Sequence, residues 1–102
     1  MREMYRSLSM YPKSADPAQI DETTGRVIAH FRQSPGFRSA TTSVDALMGP
    51  GAKAGEFSRI VVVDFDTLDD IMNALQAETF RSTRVASEAM GATHFLFECR
   101  EL

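Results

Sequence analysis

Three side chains in this sequence of 102 residues are candidates for acid–base chemistry. His30 and His94 carry the side chain that changes charge near neutral pH when it is unperturbed. The period of two in a strand places the Asp64 carboxylate on the same face as Ile60 and Val62, where loss of hydration would make it a candidate base. We therefore predict His30, His94 and Asp64 as catalytic residues.

Each of these three residues also has a structural interpretation. His30 lies at the border between the apolar and polar sides of a predicted helix, where packing or surface roles are common. His94 shares a strand face with Leu96 and Glu98, and it reaches the interior of a barrel only if that face lies between subunits. Asp64 could instead cap its strand or reach water.

A second set of residues is suited to binding a small molecule. Ser7, Ser9 and Tyr11 alternate along the first predicted strand and therefore share one face. Two small hydroxyl residues would leave space for a ligand, and a tyrosine could orient it, so we predict these three residues as substrate-binding. In the alternative interpretation, Tyr11 packs over the helix entry at Pro12 and the serines face a narrow barrel.

The sequence shows no signature of a metal site, a phosphate-binding loop or a catalytic triad. No His or carboxylate pair has metal-ligand spacing, no glycine-rich loop precedes a helix, and no Ser-His-Asp order can be assigned. We expect neither a metal nor an organic cofactor. Arginines on predicted strands are expected to pair with acids such as Glu98, Asp45 or Asp64, or to bind an anionic substrate. These arginines are Arg6, Arg38, Arg59 and Arg100.

Composition narrows the class of protein further. The net charge of -3 lacks the basic excess that nucleic acids require, so no nucleic-acid partner is expected. No apolar run approaches the roughly 20 residues that span a bilayer, so no membrane association is expected. The single cysteine, Cys99, excludes an intrachain disulfide, and the start of the sequence has no apolar signal segment. We expect a cytoplasmic protein.

Strand and helix patterns alternate along the chain. Asp16 followed by Pro17 predicts a helix start, and Asp66 to Asp69 predicts a second one. Strands are predicted over residues 4–11, 37–47, 57–65 and 93–100, with a weaker helical segment at 79–89. This order predicts an α+β, ferredoxin-like βαββαβ fold with a four-stranded antiparallel sheet and both helices on one face. Residues 1–102 are treated as a single domain.

The second face of this sheet requires a cover. Residues 60–63 are apolar on both faces of their strand, as are residues 95–97, so water should touch neither face. With Ile60, Val62 and Leu96 assigned to the uncovered face, each side chain would gain about 1.5–3 kcal/mol from burial. We therefore predict a homodimer, packed sheet to sheet as a dimeric α+β barrel.

The order of these motifs resembles the EthD-like family of dimeric α+β barrels over nearly the whole chain. The resemblance is carried by Tyr11-Pro12, Asp16-Pro17, the Pro35-Gly36 turn, the glycine-rich loop at 49–51 and the strand-to-helix segment 63–68. The final strand, residues 91–97, is similar as well. The family implies a homodimer of ferredoxin-like subunits. Related barrels act without cofactors as monooxygenases or isomerases on hydrophobic, often cyclic substrates.

The resemblance has one departure. Family members usually carry His-x-Pro-Leu in the first helix, and Val27 stands at that histidine position, with His30 one turn later. We therefore expect a small homodimeric EthD-like protein that binds a small hydrophobic molecule, with cofactor-independent oxidoreductase or isomerase chemistry. The alternative is a noncatalytic dimerisation or ligand-carrier module that lacks the family histidine.

Overall fold

The computed structural model describes residues 3–44, 47, 49–50 and 53–102. Within these ranges it contains four strands and three α-helices, and a short 3-10 helix precedes the third strand at Lys53–Glu56. The elements in chain order are β1 (Glu3–Pro12), α1 (Pro17–Arg32), β2 (Phe37–Thr42), β3 (Phe57–Phe65), α2 (Leu68–Leu75), α3 (Glu78–Ala89) and β4 (Thr93–Arg100). None of the described helices is long and apolar enough to cross a membrane.

The strands form one antiparallel sheet in the order β2-β3-β1-β4, which confirms the predicted α+β, ferredoxin-like fold. The second helical position holds two consecutive helices, α2 and α3, rather than one. They are separated at Gln76 and Ala77, and α3 begins without a side-chain cap. Because α3 lacks a capping side chain, the sequence predicts the helical segment at 79–89 only weakly.

Two predicted helix starts are confirmed by their capping hydrogen bonds. Asp16 Oδ1 accepts from the Ala18 amide at 3.2 Å, and Pro17 follows at the first helical position. Thr67 Oγ1 accepts from the Asp70 amide at 3.1 Å at the start of α2. These side chains satisfy backbone donors that have no partner inside the helix, so they fix where each helix begins.

Strand β2 is shorter than the predicted strand over residues 37–47. It ends at Thr42. The Ser43 amide still donates to the Ile60 carbonyl at 2.9 Å, but the Ile60 amide donates to Ser43 Oγ, also at 2.9 Å, instead of to a backbone carbonyl. Asp45 and Ala46 lie outside the described residues, as do Met48, Gly51 and Ala52 of the predicted glycine-rich loop.

The helices pack on the face of the sheet that carries Tyr5, Ser7, Ser9 and Tyr11 of β1. Two groups of buried residues form on this side. The larger joins α1 and α2 to β3, and the smaller surrounds Tyr11 near the start of α1. The larger contains Val27, Phe31, Val61, Val63, Phe65, Ile71 and Ala74, and the smaller contains Tyr11, Ala15 and Ile20.

No described helix covers the opposite face, which we call the open face. The strand register places Leu8 of β1 between Val62 of β3 and Phe95 of β4. Phe95 and Phe97 remain 50% and 41% exposed in the single chain, so large apolar groups meet water there. The assignment of Leu96 to this face was wrong, because Leu96 pairs with Ser7 and therefore lies on the helix-covered face.

Candidate functional site

A cavity of about 630 Å³ lies between the sheet and the helices. It separates the two groups of buried residues, since its walls include Val63 and Phe31 from one group and Tyr11 from the other. The sheet side is formed by Ser7, Ser9, Tyr11, Val61, Val63 and residues 92–96, and the helix side by Thr24, Val27, Ile28, Phe31, Met72, Leu75, Gln76, Phe80, Thr83, Arg84, Ser87 and Glu88.

The serines of β1 help to form this space. Along the ladder with β3, Ser7 is opposite Val63 and Ser9 is opposite Val61, whereas Tyr5 is opposite Phe65. On this face of the sheet, the small side chains of Ser7 and Ser9 therefore lie next to the aromatic pair formed by Tyr5 and Phe65. Because backbone pairing continues unchanged through these positions, the reduced side-chain volume leaves room beneath the helices.

His94 is held between two hydroxyl groups on the cavity wall. Its Nδ1 lies 2.7 Å from Ser9 Oγ, across the β1 and β4 pairing, and its Nε2 lies 3.0 Å from Ser87 Oγ of α3. Ser87 is 2% exposed, and its hydroxyl donates to the Arg84 carbonyl at 3.0 Å. The imidazole is therefore fixed from the sheet side and from the helix side.

The surroundings of His94 favour its neutral form. Partial removal from water lowers the pKa of His94 below its ordinary value of 6.5, the Glu88 carboxylate acts in the opposite direction, and Arg84 lowers the pKa further. Glu88 and Arg84, which also line the cavity, pair with each other at 2.9 Å and are both more than half exposed. Near neutral pH the imidazole can therefore accept a proton.

Tyr11 supplies a further polar group to the cavity. Burial raises the pKa of its phenol, while a hydrogen bond with Thr24 and the charge of Arg59 act in the opposite direction. The residue is 4% exposed and lies at the β1 end that leads into α1. A neutral hydroxyl held in this way can orient a ligand.

The structure brings together four of the six predicted site residues. Ser7, Ser9, Tyr11 and His94 all line the cavity. His30 does not line it. Its Nε2 donates to the Ala74 carbonyl at 3.2 Å, and its ring lies against Phe31, so it links α1 to α2.

Asp64 lies on the open face, separated from the cavity by the sheet. Arg6 binds its two carboxylate oxygens at 2.8 and 3.0 Å, which is the bidentate geometry of a strong ion pair. A third contact comes from Ser39 at 3.5 Å. The carboxylate that the sequence placed among apolar residues is thus engaged by an arginine.

The other strand arginines also have acidic partners. Arg38 pairs with Asp66, Arg59 with Asp21, and Arg100 with Glu3 and Glu98. The predicted salt bridges with Asp64 and Glu98 are present, and Asp45 lies outside the described residues. Within the described ranges, no group of three His, Cys, Asp or Glu residues could hold a metal ion.

Sequence reasoning missed the contribution of α3. Phe80, Thr83 and Ser87 occupy one helical stripe, in which two small polar residues stand where a core stripe would carry apolar ones. Thr83 and Ser87 are nevertheless buried. A buried stripe of this composition is the signal that could have indicated a polar cavity wall.

Solved structures with the same fold were found by comparison. SnoaB, a cofactor-independent oxygenase from Streptomyces nogalater, is 22% identical over 100% of this chain and 97% of that chain, with a TM-score of 0.70. A dimeric ferredoxin-like protein of unknown function from Thermobifida fusca is 16% identical over 97% and 93%, with a TM-score of 0.67. An ethyl tert-butyl ether D (EthD) family protein from Bacillus halodurans C-125 is 13% identical over 97% and 99%, with a TM-score of 0.63.

No protein-family model and no curated protein matches the sequence. At the identities above, structural similarity establishes the architecture and leaves the chemistry to be argued from the site. The structural similarity extends over nearly the full length of each chain. The chain therefore has the ferredoxin-like α+β fold that these solved structures share.

Proposed function

We propose that the cavity binds a small, largely apolar molecule and that His94 acts there as a base. The observation that carries this proposal is the imidazole held between Ser9 and Ser87 on the wall of an otherwise mostly apolar cavity. Partial burial of the ring lowers the pKa of His94 and so favours the neutral imidazole, the form that accepts a proton. Ser7 and Tyr11 are proposed to orient the bound molecule.

The lining favours a neutral ligand with an apolar ring system. Val61, Val63 and Phe31 offer aliphatic and aromatic surface, which binds hydrocarbon groups well. The two charged residues of the lining, Arg84 and Glu88, neutralise each other. A neutral molecule with one acidic O–H or C–H group would therefore match both the apolar walls and the base.

Proton removal is the chemical step that these residues support. It leaves the substrate as an anion, which can be protonated at another atom in an isomerisation or can transfer electrons to dioxygen in an oxygenation. The similarity in fold to SnoaB favours the second outcome. We therefore propose cofactor-independent, oxygenase-type chemistry on a small apolar substrate.

The bicyclic ketone 2-tetralone, which has acidic C–H groups, is a suitable probe. Deuterium incorporation from heavy water, measured by NMR, should be accelerated by the protein and lost in His94→Ala, with His30→Gln as the control that leaves the cavity unchanged. Oxygen uptake, measured separately with an electrode, reports oxygenation. Binding of the probe with no exchange in the wild-type protein would contradict the proposed base and favour a ligand carrier.

We also propose that two copies pair through the open face. The exposure of Phe95 and Phe97 and the apolar Leu8 and Val62 beside them support this pairing, as does the dimeric neighbour of the same fold. Sedimentation at micromolar concentration should give a dimer. Leu8→Glu should give a monomer and the control Ser82→Glu a dimer, whereas a monomeric wild-type protein would contradict the pairing.

A further inference from the structure

We propose that Ser87 is a positioning residue that holds the proton of His94 on Nε2, so that Ser9 becomes the hydroxyl through which protons pass between substrate and imidazole. The chemical use of this relay rests on the proposed function. The position of the imidazole proton does not, because it is a property of the unliganded protein.

The direction of each hydrogen bond follows from counting protons. A serine hydroxyl has one proton, and a backbone carbonyl can only accept. Ser87 donates its proton to the Arg84 carbonyl, so its oxygen must act as acceptor toward the Nε2 of His94, 3.0 Å away. The neutral imidazole then carries its proton on Nε2 and its lone pair on Nδ1.

This tautomer determines what Ser9 can do. With a lone pair on Nδ1, the hydroxyl of Ser9 donates to it across 2.7 Å. The lone pairs of Ser9 Oγ remain available on the cavity wall. A substrate proton can move to Ser9 Oγ while the original Ser9 proton moves to Nδ1, which leaves a substrate anion and an imidazolium. The reverse transfer restores both groups.

The opposite tautomer would break this arrangement. A proton on Nδ1 would have to be donated to Ser9, and the bare Nε2 would face a Ser87 hydroxyl whose only proton is already donated to Arg84. Ser87 is 2% exposed, so water cannot readily replace the missing partner. The buried serine therefore selects the tautomer that leaves Nδ1 basic.

Two charged residues also act on this ring. Glu88 and Arg84 lie on α3 and influence His94 in opposite senses, and they pair with each other. The hydrogen bonds described for the imidazole go to Ser9 and Ser87, so the choice between Nδ1 and Nε2 is assigned to the two serines.

The test is a long-range ¹H–¹⁵N NMR spectrum of the unliganded protein at alkaline pH, where His94 is neutral. Wild-type His94 should carry its proton on Nε2, and the Nδ1–H fraction should rise about tenfold in Ser87→Ala, the loss expected for one hydrogen bond. Ser87→Thr keeps a hydroxyl and should retain the wild-type tautomer, as Thr83 already donates to a carbonyl in the same helix. The matched control is Ser82→Ala, since Ser82 also donates to a helix carbonyl, but on the exposed side.

Two results would overturn the inference. One is a wild-type His94 with its proton on Nδ1, and the other is an unchanged tautomer in Ser87→Ala. Ser9→Ala provides a separate test of the relay, because it should keep the Nε2 proton and the binding of 2-tetralone but lose deuterium exchange. If the wild-type protein exchanges no deuterium, the proposed function fails while the tautomer result still decides the role of Ser87.

Discussion

The layer between the sheet and the helices is tightly packed at one end and contains the cavity in its middle. Strands β1 and β3 lie beneath both regions. At the packed end, the Phe65 ring meets Phe31 at 5.6 Å and Phe37 at 6.0 Å, both edge to face, and Phe65 is fully buried. In the middle, Ser7 and Ser9 occupy the equivalent positions of β1. The size of the side chains, rather than a change in backbone pairing, separates a core from a cavity.

This difference assigns separate roles to the two regions. Aromatic rings that fill space contribute dispersion and hydrophobic stabilisation, and edge-to-face pairs add to it. Small hydroxyl groups around an unfilled volume contribute little of either. We therefore expect substitutions at the packed end to affect stability and those in the middle to affect binding.

The largest expected effect is that of Phe65→Ala. Removing this buried ring leaves a cavity among Phe31, Phe37 and Val63 and should lower the free energy of unfolding by about 3–5 kcal/mol. Urea denaturation measures the change. Ser7→Ala is the control in the cavity region and should change the free energy of unfolding by less than about 1 kcal/mol. Equal losses in both variants would contradict the distinction between the two regions.

A smaller loss is expected at the turn above the packed end. Gly36 has a φ of +80°, and a Cβ there would clash with the Asp70 carboxylate. Gly36→Ala should therefore cost roughly 1–3 kcal/mol in thermal or urea unfolding. Gly25 has open space around it in the middle of α1, so Gly25→Ala should instead stabilise by about 0.5–1 kcal/mol. A neutral Gly36→Ala would show that the turn relaxes.

Filling the cavity should separate binding from stability. Ser7→Leu places an apolar side chain opposite Val63 and should leave the unfolding free energy unchanged or raise it by about 1–2 kcal/mol through burial. The affinity for 2-tetralone, measured by NMR titration, should fall by more than tenfold. Thr41→Leu on the opposite sheet face should bind the probe normally. A loss of about 1–3 kcal/mol, as in an overpacked core, would show that the cavity is too small for a leucine side chain.

The smallest expected effect is a dependence of stability on pH. His94 has a lowered pKa in the folded chain, so the unfolded chain binds more protons when the pH falls below the ordinary value of 6.5. The His94 contribution to stability is fully present above that value and is lost as the pH falls through the lowered pKa. Unfolding curves should show a shallower decline for His94→Gln than for the wild-type protein. Identical profiles would contradict a lowered pKa of His94 in the folded chain.

Local signals carried most of the fold prediction. Capping residues such as Asp16 and Thr67 act on the nearest backbone amides, so their effect can be read from adjacent positions. The position at which β2 ends could not be predicted in this way, because it depends on a contact between Ser43 and Ile60, which are distant in sequence. The face occupied by Leu96 likewise depended on its register with Ser7.

The candidate site was likewise predictable where neighbouring residues determine it and not where contacts between distant residues determine it. Alternation alone predicted that Ser7, Ser9 and Tyr11 share a face, and they do. The pairing of Ser9 with His94 depends on strand register across most of the chain, and the approach of Ser87 depends on how α3 packs. Asp64 was grouped correctly with Ile60 and Val62, but alternation could not show which face the helices cover or that Arg6 would pair with it.

A crystal structure of the protein grown with 2-tetralone tests the assignment of the cavity most directly. The ring of the probe should lie between Val63 and Phe31, with its acidic carbon within about 3.5 Å of Ser9 Oγ, the separation at which groups are positioned to react. A probe bound only outside this space, or a cavity closed by the surrounding side chains, would contradict the account.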